Sequence, residues 1–112
     1  MESTRQQKVA RLLLKELGVW FQQHGNEILP GRLITVTIVR ITPDLGLAKV
    51  YLSIFPSGKK EETLNRVINH TGQIRNAIGH KVKNQLRIIP EFQYFLDDSL
   101  DYIENIDNLL KE

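Results

Sequence analysis

The chain has no cysteine among its 112 residues, which removes disulfides, thiolate metal ligands and thiol nucleophiles together and suits a reducing cytosol. Histidine is scarce: His24, His70 and His80 stand at no metal-ligand spacing, and H-E-x-x-H is absent. No apolar run approaches the roughly 18 residues of a membrane span, and the opening MESTRQQKVAR reads as a polar helix start without the apolar core of a signal peptide. Neither G-x-S-x-G nor G-x-x-x-x-G-K-[ST] occurs, so nucleophilic hydrolysis and P-loop phosphoryl transfer have no anchor. Asp97 and Asp98 are adjacent, but strand neighbours point to opposite faces. Both precede a segment of helical pattern that favours an acidic N-terminus, so they read as caps. The expectation is a cytoplasmic, non-catalytic protein with no cofactor, no metal and no membrane attachment.

What is present fits one globular domain over residues 1–112. At 41% hydrophobic and 25% charged the composition is too apolar for disorder, and the length suits a single core. The net charge of +2 conceals a split. Residues 1–87 hold 14 Lys/Arg against 6 Asp/Glu, or +8, whereas residues 88–112 hold 1 against 7, or −6. Within the basic part, Lys59, Lys60, Arg66, Arg75, Lys81, Lys83 and Arg87 face only Glu61 and Glu62, so a polyanion would meet that stretch first.

Periodicity orders the elements. Thr4-Arg-Gln-Gln7 has the form of a capping box, and Val9, Leu13, Leu17 and Trp20 recur at helical spacing, predicting a helix over about residues 4–23. The turn residues Gly25, Asn26 and Pro30-Gly31 predict a loop from His24 to Arg32. "LITVTIVRIT" is rich in β-branched residues, Pro43-Asp-Leu-Gly46 reads as a turn, and "LAKVYLSIF" alternates with Ala48, Val50, Leu52 and Ile54 on one face. These make a hairpin. After Pro56-Ser-Gly58, the residues Leu64, Val67, Ile68, Thr71, Ile74, Ile78 and Val82 continue as a long helix, with any break expected at Gly72. Pro90 ends the helical region, "EFQYFL" reads as a third strand, and Asp98 or Ser99 caps a last helix with Leu100, Ile103, Ile106, Leu109 and Leu110 on its apolar stripe.

The glycines in "NHTGQIRNAIGHKVKNQLR" carry the functional question, since each costs roughly 1 kcal/mol against alanine inside a helix. At 100° per residue Ile74, Ala77, Ile78, Lys81 and Val82 share one sector, while Gly72, Arg75, Asn76, Gly79, His80 and Lys83 fall opposite. Glycine on the polar face removes side chains where another backbone could approach, between cations. The N–H groups of the helix that follows Gly72 would also face an anion. These are the ingredients of a seat for a phosphate backbone.

The order α-β-β-α-α-β with a glycine-marked helix junction resembles a type II KH domain, although no G-x-x-G occurs. The Arg5-x-x-Lys8-Val9-Ala10 helix start, "LITVTIVRITPDLGLAKVYLSI", "GQIRNAIGHKVKNQLRIIPEFQYFLDDSL" and the final "IDNLL" look like the ribosome-binding factor A family over nearly the whole chain. That resemblance implies an α+β fold, a single KH-like domain of order α-β-β-α-kink-α-β-α, in which a kink at His70-Thr71-Gly72 replaces G-x-x-G. His70 stands where the family has alanine. It implies a monomeric assembly factor that binds the small ribosomal subunit and its rRNA, near the 5′ end and the decoding region, with ribosomal proteins as further partners. Late maturation, rRNA processing and cold adaptation are the implied roles. The expected RNA-binding residues are Lys59, Lys60, Arg66, Asn69, His70, Gly72, Arg75, Asn76, Gly79, Lys81, Lys83 and Arg87. A rival reading is a protein-interaction module using the hairpin edge or the acidic last helix.

Overall fold

The computed structural model describes residues 2–28, 30–56 and 58–97 and contains helix α1 (Thr4–Ile28), strands β1 (Leu33–Ile41) and β2 (Leu47–Phe55), helices α2 (Lys60–Asn69) and α3 (Thr71–Val82), and strand β3 (Glu91–Leu96). The last helix expected from Asp98 onward lies outside the described residues. The fold class is α+β, as the periodicity predicts. Among the described residues no helix is long and apolar enough to cross a membrane.

The three strands form one sheet in the order β1-β2-β3, with β1 antiparallel and β3 parallel to β2. The expected inner face of β2 is buried at all four positions, Ala48, Val50, Leu52 and Ile54. β1 needs a correction of phase to match it. Ile34 and Val36 are buried, then Val39 and Ile41, and the register shifts between Val36 and Ile38. The irregularity at Thr37 inserts one residue, so that both halves of the strand keep apolar side chains inward. Thr37 Oγ1 donates to Asp97 Oδ2 at 2.6 Å, which ties the irregularity to the end of β3. Asp97 thus has a partner in the sheet, while the helix that Asp97 and Asp98 are expected to cap lies outside the described residues.

Helix α1 covers the inner face with Val9, Leu13, Leu17, Trp20 and Phe21. Its capping box stands one residue earlier than expected. Ser3 Oγ accepts from the Gln6 N–H at 3.1 Å, and Gln6 Oε1 accepts from the Ser3 N–H at 2.8 Å. Gln6 wins over the exposed Gln7 because its side chain is buried and its Nε2 donates to the Ile41 carbonyl at 2.8 Å. The helix also runs on through His24, Gly25 and Asn26, where a loop is expected from the turn residues. Burial of Ile28 against the core, and the Trp20–His24 ring contact at 5.1 Å, outweigh the propensity cost of Gly25.

The hairpin turn is closed by the Leu45 N–H on the Thr42 carbonyl at 2.8 Å, with Pro43 second. Asp44 Oδ1 accepts from Thr42 Oγ1 at 2.7 Å and from the Gly46 N–H at 3.0 Å. These bonds, the Thr42 hydroxyl first, hold the Asp44 carboxyl below its ordinary value. The left-handed residue is Leu45 (φ 62°), a position glycine usually fills.

Candidate nucleic-acid interface

The break between α2 and α3 falls at His70, the first residue of the expected His70-Thr71-Gly72 kink, and not at Gly72 where the helical pattern sets it. His70 adopts φ −99°, ψ 7°, ending one helix and opening the next. Its Nδ1 lies 2.7 Å from the Arg66 carbonyl, which can only accept, so Nδ1 carries the proton and the ring folds back over the last turn of α2. The Ile74 N–H closes the first turn of α3 on the His70 carbonyl at 3.0 Å. Gly72 thus lies inside that turn. It has no positive φ, and a Cβ built on it would meet nothing within 4 Å, so the backbone does not require glycine there.

The polar face of α3 borders a shallow groove of about 480 Å³. Gly72, Arg75, Asn76, Gly79, His80 and Lys83 line it. These are the six residues that helical periodicity sets opposite Ile74, Ile78 and Val82, all three of which are buried. The far wall is Ile89, whose Cγ1 would lie 3.4 Å from a Cβ on Gly79. The two glycines stand about two turns apart on the helix, and together they leave the floor of the groove as bare backbone.

Arg75 is not the free cation expected from the sequence. Its Nε donates to the Pro90 carbonyl at 2.9 Å and its Nη2 to the Ile89 carbonyl at 2.7 Å, so it pins the segment leading into β3. Its charge remains at the groove, while its position is fixed by the fold. Thr71, at the head of α3, is held to the sheet by its Oγ1 at 3.0 Å from the Tyr94 hydroxyl. Burial pushes the Tyr94 phenol up to about 12, with the Thr71 hydrogen bond and the Arg75 charge opposing the rise.

The remaining expected residues do not converge on this groove. Lys81 points to the other side of α3, where it lines a small cleft with Glu16, Trp20 and Ala77 against α1. Arg87 lies beyond the helix, because α3 stops at Val82, whose carbonyl accepts from both the Gln85 and the Leu86 N–H at 2.8 Å. The structure thus corrects the expectation that helical spacing carries through to Arg87 with Pro90 as the stop; Leu86 and Ile89 turn inward against the core instead. Arg87 comes to rest beside Arg5 and Lys8. Lys59 adopts the left-handed conformation (φ 61°) just before α2, and Arg66 pairs with Glu62 at 4.0 Å on the surface of that helix. Asn69 is exposed at its end. Ile89 escaped the sequence reading, although the run of Ile88, Ile89 and Pro90 after the helix signals an extended stretch with two sides.

Residues 5–110 match the family model described as Ribosome-binding factor A. The chain is 42% identical over 112 residues to Ribosome-binding factor A of Cytophaga hutchinsonii, covering all of this chain and 84% of the relative. It is 41% identical over 111 residues to that of Flavobacterium johnsoniae, covering 98% and 85%. The crystal structure of ribosome-binding factor A from Thermus thermophilus superposes with a TM-score of 0.69 at 21% identity, over 81% of this chain and 94% of that one. At that identity the likeness speaks for the fold.

Proposed function

Because the chain belongs to the ribosome-binding factor A family, we propose that it is a small-subunit assembly factor: a single KH-like domain that binds the immature subunit through its rRNA and assists late maturation and rRNA processing, including at low temperature. The family is named for binding a ribosome and not for a reaction. The observation that carries the RNA part is the glycine-floored groove on α3, in which Gly72 and Gly79 leave backbone uncovered between Arg75, His80 and Lys83.

The mechanism is positioning. Phosphates seat on the bare floor, where no Cβ holds them away, and Lys83 and His80 reach them from the rim. Arg75 supplies positive charge from a fixed place and keeps the Ile89 wall at its distance from the helix. Asn76 offers both a donor and an acceptor to an unpaired base edge. Side chains cannot read the deep groove of paired RNA, so recognition rests on the shape of the rRNA and on single-stranded elements, with the 5′ region and the decoding region as the sites. Lys59, Lys60 and Arg66, at and on α2, add long-range attraction. The protein acts as a monomer in the cytoplasm.

The test is sedimentation of the purified protein with small subunits, large subunits and free duplex RNA across a salt series, followed by footprinting of the bound rRNA. The expected result is selective binding to small subunits, protection near the 5′ end and decoding region, and a slope of log K against log salt near −3, for about four single-strand phosphates at roughly −0.7 each. Salt-insensitive binding, or equal affinity for every RNA, would refute recognition of the subunit.

A further inference from the structure

A larger groove, of about 670 Å³, opens on the other side of the segment that walls the α3 groove, between the start of α1, the β1–β2 turn and residues 85–90. Its size lies in the range of sites that enclose a small organic group, roughly 300–1,000 Å³. The floor is apolar, from Val9, Leu12 and Leu86, and the rim carries three cations, Arg5, Lys8 and Arg87. Ile88 stands at the edge with 75% of its surface exposed, the highest of the large apolar side chains among the described residues. Arg5 and Lys8 occupy the first turns of α1, whose first turn holds no acidic residue. Cations there oppose the helix dipole, so helix stability does not account for them.

We propose that this groove takes an unpaired nucleotide of an RNA strand, with the base against Leu12, Leu86 and Ile88 and the flanking phosphates on Arg5, Lys8 and Arg87. The proposal rests on the reading of α3 as an RNA interface and extends it. An apolar floor beneath a cationic rim matches a ligand with an apolar plane attached to an anion, and a splayed single-stranded nucleotide has that chemistry, whereas a duplex keeps its bases stacked away. Asp44 also lines the groove. Its Oδ1 is taken by Thr42 and Gly46, and Oδ2 can accept from a base amino group.

Continuity with α3 favours RNA over an acidic peptide. The segment 88–90 alternates: Ile89 closes the α3 groove, while Ile88 and Pro90 line the larger one. A strand crossing α3 at Lys83 therefore passes Arg87 and enters the second groove without leaving positive potential. Asp97 does not compete for these cations. β3 starts beside the groove at Glu91 and runs six residues away from it, about 20 Å, before Asp97.

The experiment uses the full chain with a fluorescent single-stranded oligouridine, the same length of RNA as a duplex, and a 4-thiouridine version for crosslinking. Ile88→Ser changes no charge at an exposed position. It should weaken the single strand about tenfold and leave the duplex unchanged. Arg5→Glu with Lys8→Glu should weaken the single strand by more than tenfold, and crosslinks should map to Leu12 and residues 85–90. Unchanged affinity in Ile88→Ser while Lys83→Glu still loses binding would overturn the second groove and spare the α3 reading. Equal loss of single strand and duplex in Arg5→Glu/Lys8→Glu, or displacement by polyglutamate as effective as by RNA, would reduce the groove to a general anion surface and overturn it too. If Lys83→Glu also binds normally, both readings fail.

Discussion

Replacing both glycines on α3 by alanine should make the protein more stable and a worse binder. Alanine exceeds glycine by roughly 1 kcal/mol in a helix interior, chiefly because glycine loses more backbone freedom on folding. At Gly72, in the first turn, the added methyl meets nothing within 4 Å, so no clash offsets the gain. At Gly79 it meets Ile89 Cγ1 at 3.4 Å, an ordinary contact at its close limit, so the gain there is smaller. Together they are worth about 1–1.5 kcal/mol, and for a domain of this size each kcal/mol raises Tm by about 4–8 °C. The same two methyl groups stand on the floor of the groove and hold a phosphate away from the helix backbone. Loss of one charge-assisted hydrogen bond, about 1.5–3 kcal/mol, weakens binding at least tenfold. Calorimetry and cosedimentation with small subunits on the same preparation read both effects. A raised Tm with undiminished binding would remove the functional reason for the glycines. A lowered Tm would show that the backbone itself demands them.

Other residues separate structural from electrostatic roles. Arg75→Ala should cost about 2–3 kcal/mol in urea unfolding, because the Ile89 and Pro90 carbonyls lose their donors, while Lys83→Glu on the exposed rim should stay within about 0.5 kcal/mol and lose RNA. Equal stability of the two variants would refute the fixed role of Arg75. Alkali tests the burial of Tyr94: a phenol that burial raises from 10.0 to about 12 on folding gives stability that is fully present below pH 10 and lost as pH rises toward 12, about 2–3 kcal/mol in all. Tyr94→Phe should flatten that dependence when unfolding is followed against pH. At the hairpin turn the lowered Asp44 carboxyl contributes stability above its ordinary value of 3.8, lost as pH falls below it. Acid titration of Asp44→Ala should lack that loss.

How far the sequence reveals the molecule depends on whether a local pattern or a distant contact decides each point. The inner face of β2 is written in strict alternation, and all four of its residues are buried where expected. The six-residue polar face of α3 is likewise a matter of 100° steps, which nothing tertiary disturbs. The misplaced points mostly have a partner far along the chain. Gln6 caps α1 because Ile41 waits for its amide, and Thr37 breaks the phase of β1 where Asp97 can hold it. His70 takes the helix break that glycine's low propensity assigns to Gly72, since its ring can satisfy the Arg66 carbonyl while a glycine could not. Lys81 and Arg87 belong with the basic run by composition, yet face α1 rather than the glycine groove; for Lys81 the 100° steps already set it beside Ile74 and Ile78, whereas Arg87 lies past the end of the helix. Charge counting finds the basic half of the chain; it cannot tell which cations share a surface.

Arg75 gives the two grooves a common support. By holding the carbonyls of Ile89 and Pro90 it fixes the strip of chain whose one side walls the α3 groove and whose other side lines the larger groove near α1. A guanidinium suits this task because its planar fork donates to two adjacent carbonyls at once, which a lysine ammonium would do without fixing their direction. Arg75→Lys therefore keeps the charge and loosens the strip. If phosphate attraction alone governed binding, that variant would bind RNA as the parent does. If the spacing of the two grooves matters, it should lose affinity for a strand long enough to cross both, while an oligonucleotide too short to span them binds it with unchanged affinity.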